Sequence, residues 1–303
     1  MATITVTSTY AGDALKKYIL AALIGGETLS TNGISVETNV KYKRTIKKLA
    51  ASGVVKAHTC TFTPTSGVTI TEATLEPQKI KVHENICFDD IYELWDSADM
   101  SAGSNAENLP QSLVDGLVEG YLGQVSKEVE EAVWQGDATG STGGIKDLFD
   151  GYEIILGAGG ITTVTATTLT SSNILTEANK VYAALPAGVM KKPKGDLVWF
   201  MSHKAAALYE MNLQAQGINT SAMGGVLSIY GIEVKPVGGL SDDDFMALGA
   251  RDNFYVGTDL MADFNEIKLL DQRESSGDDS VRFVLKAKID VAIAYPAEVV
   301  WYA

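Results

Sequence analysis

The sequence predicts an α+β protein, and three observations carry that prediction. Residues 108–135 hold one long amphipathic helix, residues 145–262 alternate helix and strand patterns, and residues 267–302 form the strongest β tract of the chain. In the long helix, Leu113, Val114, Leu117, Val118, Tyr121, Leu122, Val125, Val129 and Val133 recur at three- and four-residue spacing, which makes one broad apolar face. Asn108 and Gln111 supply capping chemistry at its start, Pro110 is tolerated in the first turn, and Gly136 offers a stop. Gly116, Gly120 and Gly123 each cost about 1 kcal/mol against alanine inside a helix, so their cluster predicts another backbone passing close by.

The chain before the helix has little core of its own. Thr3 to Tyr10 alternates like an edge strand, Asp13 to Ile24 has the pattern of a short helix, and Gly25-Gly26 and Thr31-Asn32-Gly33 break it into loop. From Val40 to Val82 the pattern is a hairpin. Val54 to Phe62 is β-rich, Pro64-Thr65-Ser66-Gly67 is turn chemistry, and Val68 to Leu75 returns. A strand pair that long without a buried face is marginal alone and needs support from elsewhere, of which another molecule is one source. Lys79 to His83 alternates, and Phe88 to Trp95 reads as a short amphipathic helix.

Beyond the helix, residues 136–145 are glycine-rich. Tyr152 to Leu156 is strand-like, Ile161 to Thr170 is threonine-rich and β-prone, and Ser172 or Asn173 caps a helix that runs to Leu185. Leu197 to Met201 is a buried strand, His203 to Leu213 a helix, and Leu227 to Val237 and Phe254 to Asp263 give further strand signals. Ile267 to Leu270 and Val281 to Val291 flank a turn at Ser275 to Asp279. Having no other partner nearby in sequence, they are expected to pair with each other beside the long helix.

Charge narrows the function classes. A net charge of −14 over 303 residues argues against a protein that grips nucleic acid by neutralising phosphates. Lys41, Lys43, Arg44, Lys47, Lys48 and Lys56 nevertheless stand together, with no acid between residues 41 and 58. A basic strip on an acidic chain is the pattern of something that docks onto copies of itself; the alternative is a solvated helix face. No run of 18 apolar residues is present to span a membrane, and the N-terminus lacks the pattern of a secretory signal. Cys60 and Cys87 read as small buried side chains in a reducing cytoplasm.

The residues offer no active site. His58, His83 and His203 are scattered, so no metal site is expected, and no Gly-x-Ser-x-Gly elbow occurs. The loop Gly136 to Ile145 lacks the Gly-Lys-Ser/Thr ending of a phosphate-binding loop, and Gly157-Ala158-Gly159-Gly160 precedes a β-prone rather than a helical segment, so the dinucleotide fingerprint fails. Asp242-Asp243-Asp244 and Asp278-Asp279 read as solvated turns. No catalytic residue and no cofactor are expected.

The order of these parts resembles the major capsid protein of tailed double-stranded DNA bacteriophages, the Hong Kong 97-type fold, over nearly the full length. The resemblance is carried by Trp134-Gln135-Gly136-Asp137-Ala138-Thr139-Gly140 and Gly144-Ile145 after a long helix, Leu197-Val198-Trp199-Phe200-Met201-Ser202-His203, Tyr230 to Val237, Phe254-Tyr255-Val256-Gly257, and Lys286 to Tyr302 with Ala294-Tyr295-Pro296. It implies an N-terminal arm at 1–40, an extended loop at 41–84 reaching over a neighbour, a peripheral domain at 85–144 completed by return strands at 267–303, and an axial domain at 145–266. It implies too a virion shell subunit, assembled in the bacterial host cytoplasm into hexamers and pentamers. Its partners would be its own copies, a portal, a scaffolding protein separate from this chain and decoration proteins, and it would enclose DNA without reading its sequence.

On this reading the inter-subunit contacts are Lys41, Lys43, Arg44, Lys47, Lys48 and Lys56 with the loop tip from Pro64 to Gly67. Some family members join subunits by a Lys–Asn isopeptide bond from this loop. The tip here holds no lysine and Lys56 and Lys79 are poorly placed, so no cross-link is expected. The alternatives are an encapsulin-type nanocompartment shell on the same fold and a cytoplasmic α/β enzyme.

Overall fold

The computed structural model describes residues 7–10, 28, 33–51, 57–58, 60, 68–87, 111–141, 143–218, 226–259, 266–272, 277–278 and 280–303. In chain order the strands before the long helix are β1 (Thr7–Tyr10), β2 (Ser35–Glu37), β3 (Arg44–Ala51), β4 (Val68–Leu75) and β5 (Gln78–Cys87). Then come the long helix α1 (Gln111–Gln135), α2 (Tyr152–Gly157), β6 (Thr162–Val164), α3 (Ile174–Ala183), α4 (Ala187–Met190), β7 (Leu197–Ser202) and α5 (His203–Ala215). The chain closes with β8 (Ser228–Ile229), β9 (Ile232–Val237), β10 (Met246–Ala250), β11 (Phe254–Thr258), β12 (Glu266–Asp271), β13 (Ser280–Ile293) and β14 (Val300–Tyr302).

Two six-stranded sheets and one two-stranded ribbon result. The first sheet is organised on β13, which pairs antiparallel with β5 and β12 along its first part and with β11 along its end. Its alternate residues Val281, Phe283, Leu285, Ala287 and Ile289 join the core with Val125, Val129 and Val133 of α1, and Phe283 stacks on Tyr121 with ring centroids 5.1 Å apart. The expected pairing of 267–270 with 281–291 beside the helix is therefore present. β1 adds to the edge of β12, which bears out the edge strand over Thr7 to Tyr10; the expected helices at 13–24 and 88–95 lie outside the described residues.

The second sheet runs β6-β14-β10-β7-β9-β8. Val198 and Phe200 of β7 face the core shared with α1, while Leu197, Trp199 and Met201 face a second core under α3 and α5. Burial on both faces is why this strand is a continuous apolar run rather than an alternating one. Ser202 Oγ accepts the Ala205 N–H at 3.0 Å and so starts α5, and Tyr230 (φ 56°) and Gly231 (φ 77°) make the left-handed pair of a two-residue β8–β9 turn.

Several expectations are corrected. Tyr152 to Leu156 is helical: Tyr152 and Leu156, four apart, bury one face, whereas a strand would bury Ile154 with them, and Ile154 is exposed. Only Thr162–Val164 of the threonine-rich segment pairs, and β10, too small in its residues to signal a strand, is nonetheless central. The strand that pairs with Val68–Leu75 is Arg44–Ala51, in register from Arg44 opposite Leu75 to Ala51 opposite Val68, so the basic strip is strand and not helix. β11 lies beside β13 in the first sheet, and β14 lies beside β10 in the second. Cys60 and Cys87 are exposed, one in the ribbon's connection and one at the last residue of β5.

Glycines show what positions the sheets. A Cβ on Gly136 would lie 2.5 Å from Phe149 O, one on Gly151 2.5 Å from Trp134 O, and one on Gly239 would overlap Glu130 O. Gly136 thus ends α1 because another backbone crosses it, not merely because it lacks a side chain. A Cβ on Gly120 or Gly123 would meet nothing within 4 Å among the described residues, so none of these supplies the close backbone expected there. Urea unfolding therefore should show Gly151→Ala losing about 2–3 kcal/mol to forced backbone movement, and Gly123→Ala gaining about 0.5–1 kcal/mol from helix propensity.

Candidate assembly surface

β3 and β4 form a ribbon that no third strand joins among the described residues. Ile70 is 57% exposed, and Tyr42, just before β3, 75%. Such a pair is marginal in water without further burial. Its root is firmly held: Leu75 is fully buried, with its Cδ2 3.4 Å from where a Cβ on Gly257 would stand. Val40 N–H donates to Thr258 O at 3.1 Å.

Two charged residues on one face of β13 hold the two strands of the ribbon where they meet the body. Lys288 Nζ donates to Lys41 O at 2.9 Å and pairs with Asp259 at 3.1 Å, fixing the chain as it enters β3. Asp290 Oδ2 accepts the Glu76 N–H at 2.6 Å, fixing the chain as it leaves β4, and its Oδ1 accepts from Val291 N at 2.8 Å. Burial pushes the Asp290 carboxyl up to about 6; the two N–H donors oppose this, and the Glu76 and Asp150 carboxylates add to it. These groups border a cleft of about 450 Å³ lined also by Glu72, Leu148 and Ile155.

The predicted contact residues are partly brought together. Lys41, Lys43, Arg44 and Lys47 are exposed along the ribbon's root; Lys48 lies on β3 with its side chain outside the described residues, as are Lys56, Pro64 and Gly67 altogether. The strip is not uncompensated. Arg44 pairs with Glu37 at 2.6 Å, Lys47 with Glu72 directly across the ribbon at 2.8 Å, and Lys43 with Glu76 at 3.8 Å. Exposed pairs of this kind contribute about 0.2–1 kcal/mol each, so they are readily exchanged for other partners. Sequence reading missed Glu37, Glu72 and Glu76 because the pairing depends on register. Asp290, a lone acid inside the apolar run Ile289 to Ile293, was visible as a signal but not assigned.

The other candidate loops are structural. Asp137 Oδ1 accepts the N–H and O–H of Thr139, which holds its carboxyl below the usual range, and Asp150 accepts Ala138 N–H at 2.8 Å. The N–H groups of the glycine-rich loop are thus turned to carboxylates, the wrong charge for a phosphate. Asp242 accepts Asp244 N–H at 2.9 Å, and Asp244 pairs with Lys204 at 2.8 Å, as expected of a turn. Among the described residues no cluster of three His, Cys, Asp or Glu has metal-site geometry, and no helix is long and apolar enough to cross a membrane.

No protein-family model and no curated protein sequence matches the chain. Solved structures do. The satellite phage P4 procapsid including its size determination protein superposes with a TM-score of 0.64 at 12% identity, over 97% of this chain and 92% of that one. The cyanophage A-1(L) capsid gives 0.57 at 13% identity over 97% and 94%, and the virus-like particle from Pyrococcus furiosus 0.55 at 13% over 95% and 97%. The chain has the α+β fold of these shell subunits, the Hong Kong 97-type fold.

The Asp290 carboxyl gives a pH-dependent prediction. Its folded pKa lies above the unfolded value near 4, so its contribution to stability is complete below about pH 4 and is lost as pH rises through about 6. Asp290→Asn should therefore melt above the wild type at about pH 7.5, and the difference should shrink toward pH 5 in calorimetry.

Proposed function

We propose that this chain is a major capsid protein, a structural subunit that builds the icosahedral shell around a phage double-stranded DNA genome as hexamers and pentamers. The observation that carries the reading is the ribbon: a strand pair with exposed apolar residues, rooted by buried contacts, on a subunit whose fold is that of phage shells. Residues 1–40 act as the arm, 41–84 as the loop laid on the adjacent subunit, 85–144 with 267–303 as the peripheral domain, and 145–266 as the axial domain around the shell's symmetry axes. The subunit carries no catalysis. Its net charge of −14 keeps the packaged DNA from adhering to the wall. Portal, scaffolding and decoration proteins are the partners in building the virion capsid, which assembles in the bacterial cytoplasm.

Two features of the lone subunit fit this reading. Among the described residues nothing covers Gly120 and Gly123 on an exposed part of α1, which a neighbouring chain fills in the shell. Lys43, Arg44 and Lys47 exchange their own glutamates for those of the neighbour, a change that costs little for exposed ion pairs. A second reading, an encapsulin-type nanocompartment shell, is favoured by the fold shared with the Pyrococcus furiosus virus-like particle. Genome-length DNA inside native particles supports the first; an enzyme cargo in DNA-free shells supports the second.

Size-exclusion chromatography with negative-stain microscopy tests assembly directly: the wild type forms closed shells, and a stable monomer at high concentration contradicts the proposal. Reversing Lys43, Arg44 and Lys47 to Glu should leave the subunit folded and abolish shells. The paired swap Lys47→Glu with Glu72→Lys restores the ribbon's own ion pair, so its continued failure to assemble places the fault between subunits. Intact shells from the triple reversal overturn the docking role of the strip.

A further inference from the structure

Lys288 and Asp290 stand two residues apart on β13, so both side chains leave the same face of the strand. One holds the ribbon's entering strand at Lys41 O and the other its returning strand at Glu76 N. The two holds differ in kind. Lys288 is buried and donates both to Lys41 O and to the Asp259 carboxylate. Asp290 borders the cleft at the ribbon's root, and the groups that face it are mostly of its own sign: Glu72 on β4, Glu76 between β4 and β5, and Asp150 ahead of α2. Tyr152 of α2 faces it as a neutral phenol, itself pushed well above its ordinary range by burial and then by Asp290 and Glu130. Two of these acids are engaged by exposed cations, Glu76 by Lys43 and Glu72 by Lys47.

We propose that Asp290 is an acid-sensitive latch: carrying its proton it holds the returning strand at Glu76, and losing that proton to solution it loosens the strand and lets the ribbon pivot on its Lys288-held entering strand. An ionised carboxylate makes charge-assisted bonds to Glu76 N–H and Val291 N–H, roughly twice as strong as neutral ones. That assistance is outweighed by the burial of the charge and its repulsion from Glu76 and Asp150, both of which a proton removes. The Lys288 hold is untouched, so the ribbon does not detach; it changes tilt about one fixed end. The carboxyl's transition near 6 puts the change within mildly acidic conditions. The device belongs to the single subunit and does not depend on what a shell encloses.

The full chain carries its own probes, because Cys60 in the ribbon's connection and Cys87 at the end of β5 are both free and exposed. Spin labels on the two, with the subunit kept dilute and unassembled, report the ribbon's tilt as a distance distribution. The wild type should shift between about pH 7.5 and pH 5 with a midpoint near 6, and Asp290→Asn should show the acid distribution at both. Asp150→Asn leaves the latch in place and removes one repelling charge, so it should lower the midpoint; it serves also where Asp290→Asn does not fold. A wild-type distribution that does not move with pH, a transition retained by Asp290→Asn, or a midpoint unchanged by Asp150→Asn overturns the proposal.

Discussion

Trp134, at the end of the long helix, is the contact on which the arrangement of both sheets depends. Its ring is fully buried and meets Tyr152, Phe200 and Phe245 at 5.2, 5.5 and 5.4 Å between centroids, so it touches α2, the second sheet and the turn before β10 at once. Its indole N–H donates to Thr28 Oγ1 at 2.7 Å, and Thr28 N–H in turn donates to the buried Glu130 one helical turn earlier, which ties the N-terminal part of the chain to the same point. Three backbones close on this place with room for hydrogen only, at Gly136, Gly151 and Gly239. Side chains packed this densely resist small displacement, so the helix, the first sheet and the second sheet move as one body.

That rigidity gives the ribbon its meaning. A body locked at Trp134 can carry a projecting strand pair without being deformed by it, and the pair is attached through a few defined contacts: Leu75 against Gly257, Lys288 to Lys41, Asp290 to Glu76. What the subunit leaves exposed is of one kind. Tyr42, Ile70 and the glycine stretch of α1 are surfaces that make sense when covered, and nothing within the described subunit covers them. The charged groups of the ribbon's root are paired, but weakly and in solvent, so they stabilise the lone subunit little and remain able to change partners.

The parts legible in the sequence were those whose pattern reports burial directly. The apolar spacing of α1, the unbroken run Leu197 to Met201 between two cores, and the helix that starts at His203 all express local geometry. The helix at Tyr152 was not legible because six residues are too few for a period to show, and its identity is decided by Trp134 and Phe254 packing on it. The partners of the basic strip depend on strand register, and the Asp290–Glu76 hydrogen bond spans 214 positions, a distance over which composition and spacing carry no information. The fold was legible as an order of motifs, while of the glycines that fix the sheets Gly136 was visible only as a helix stop.

The central claim is that the ribbon finds its burial on another copy of the chain. Amide hydrogen exchange over residues 44–51 and 68–75, compared in the dilute subunit and in assembled particles, tests it most directly. The account predicts weak protection in the subunit and strong protection in the particle. Equal, strong protection in both would show a ribbon already complete on its own body, and would contradict it.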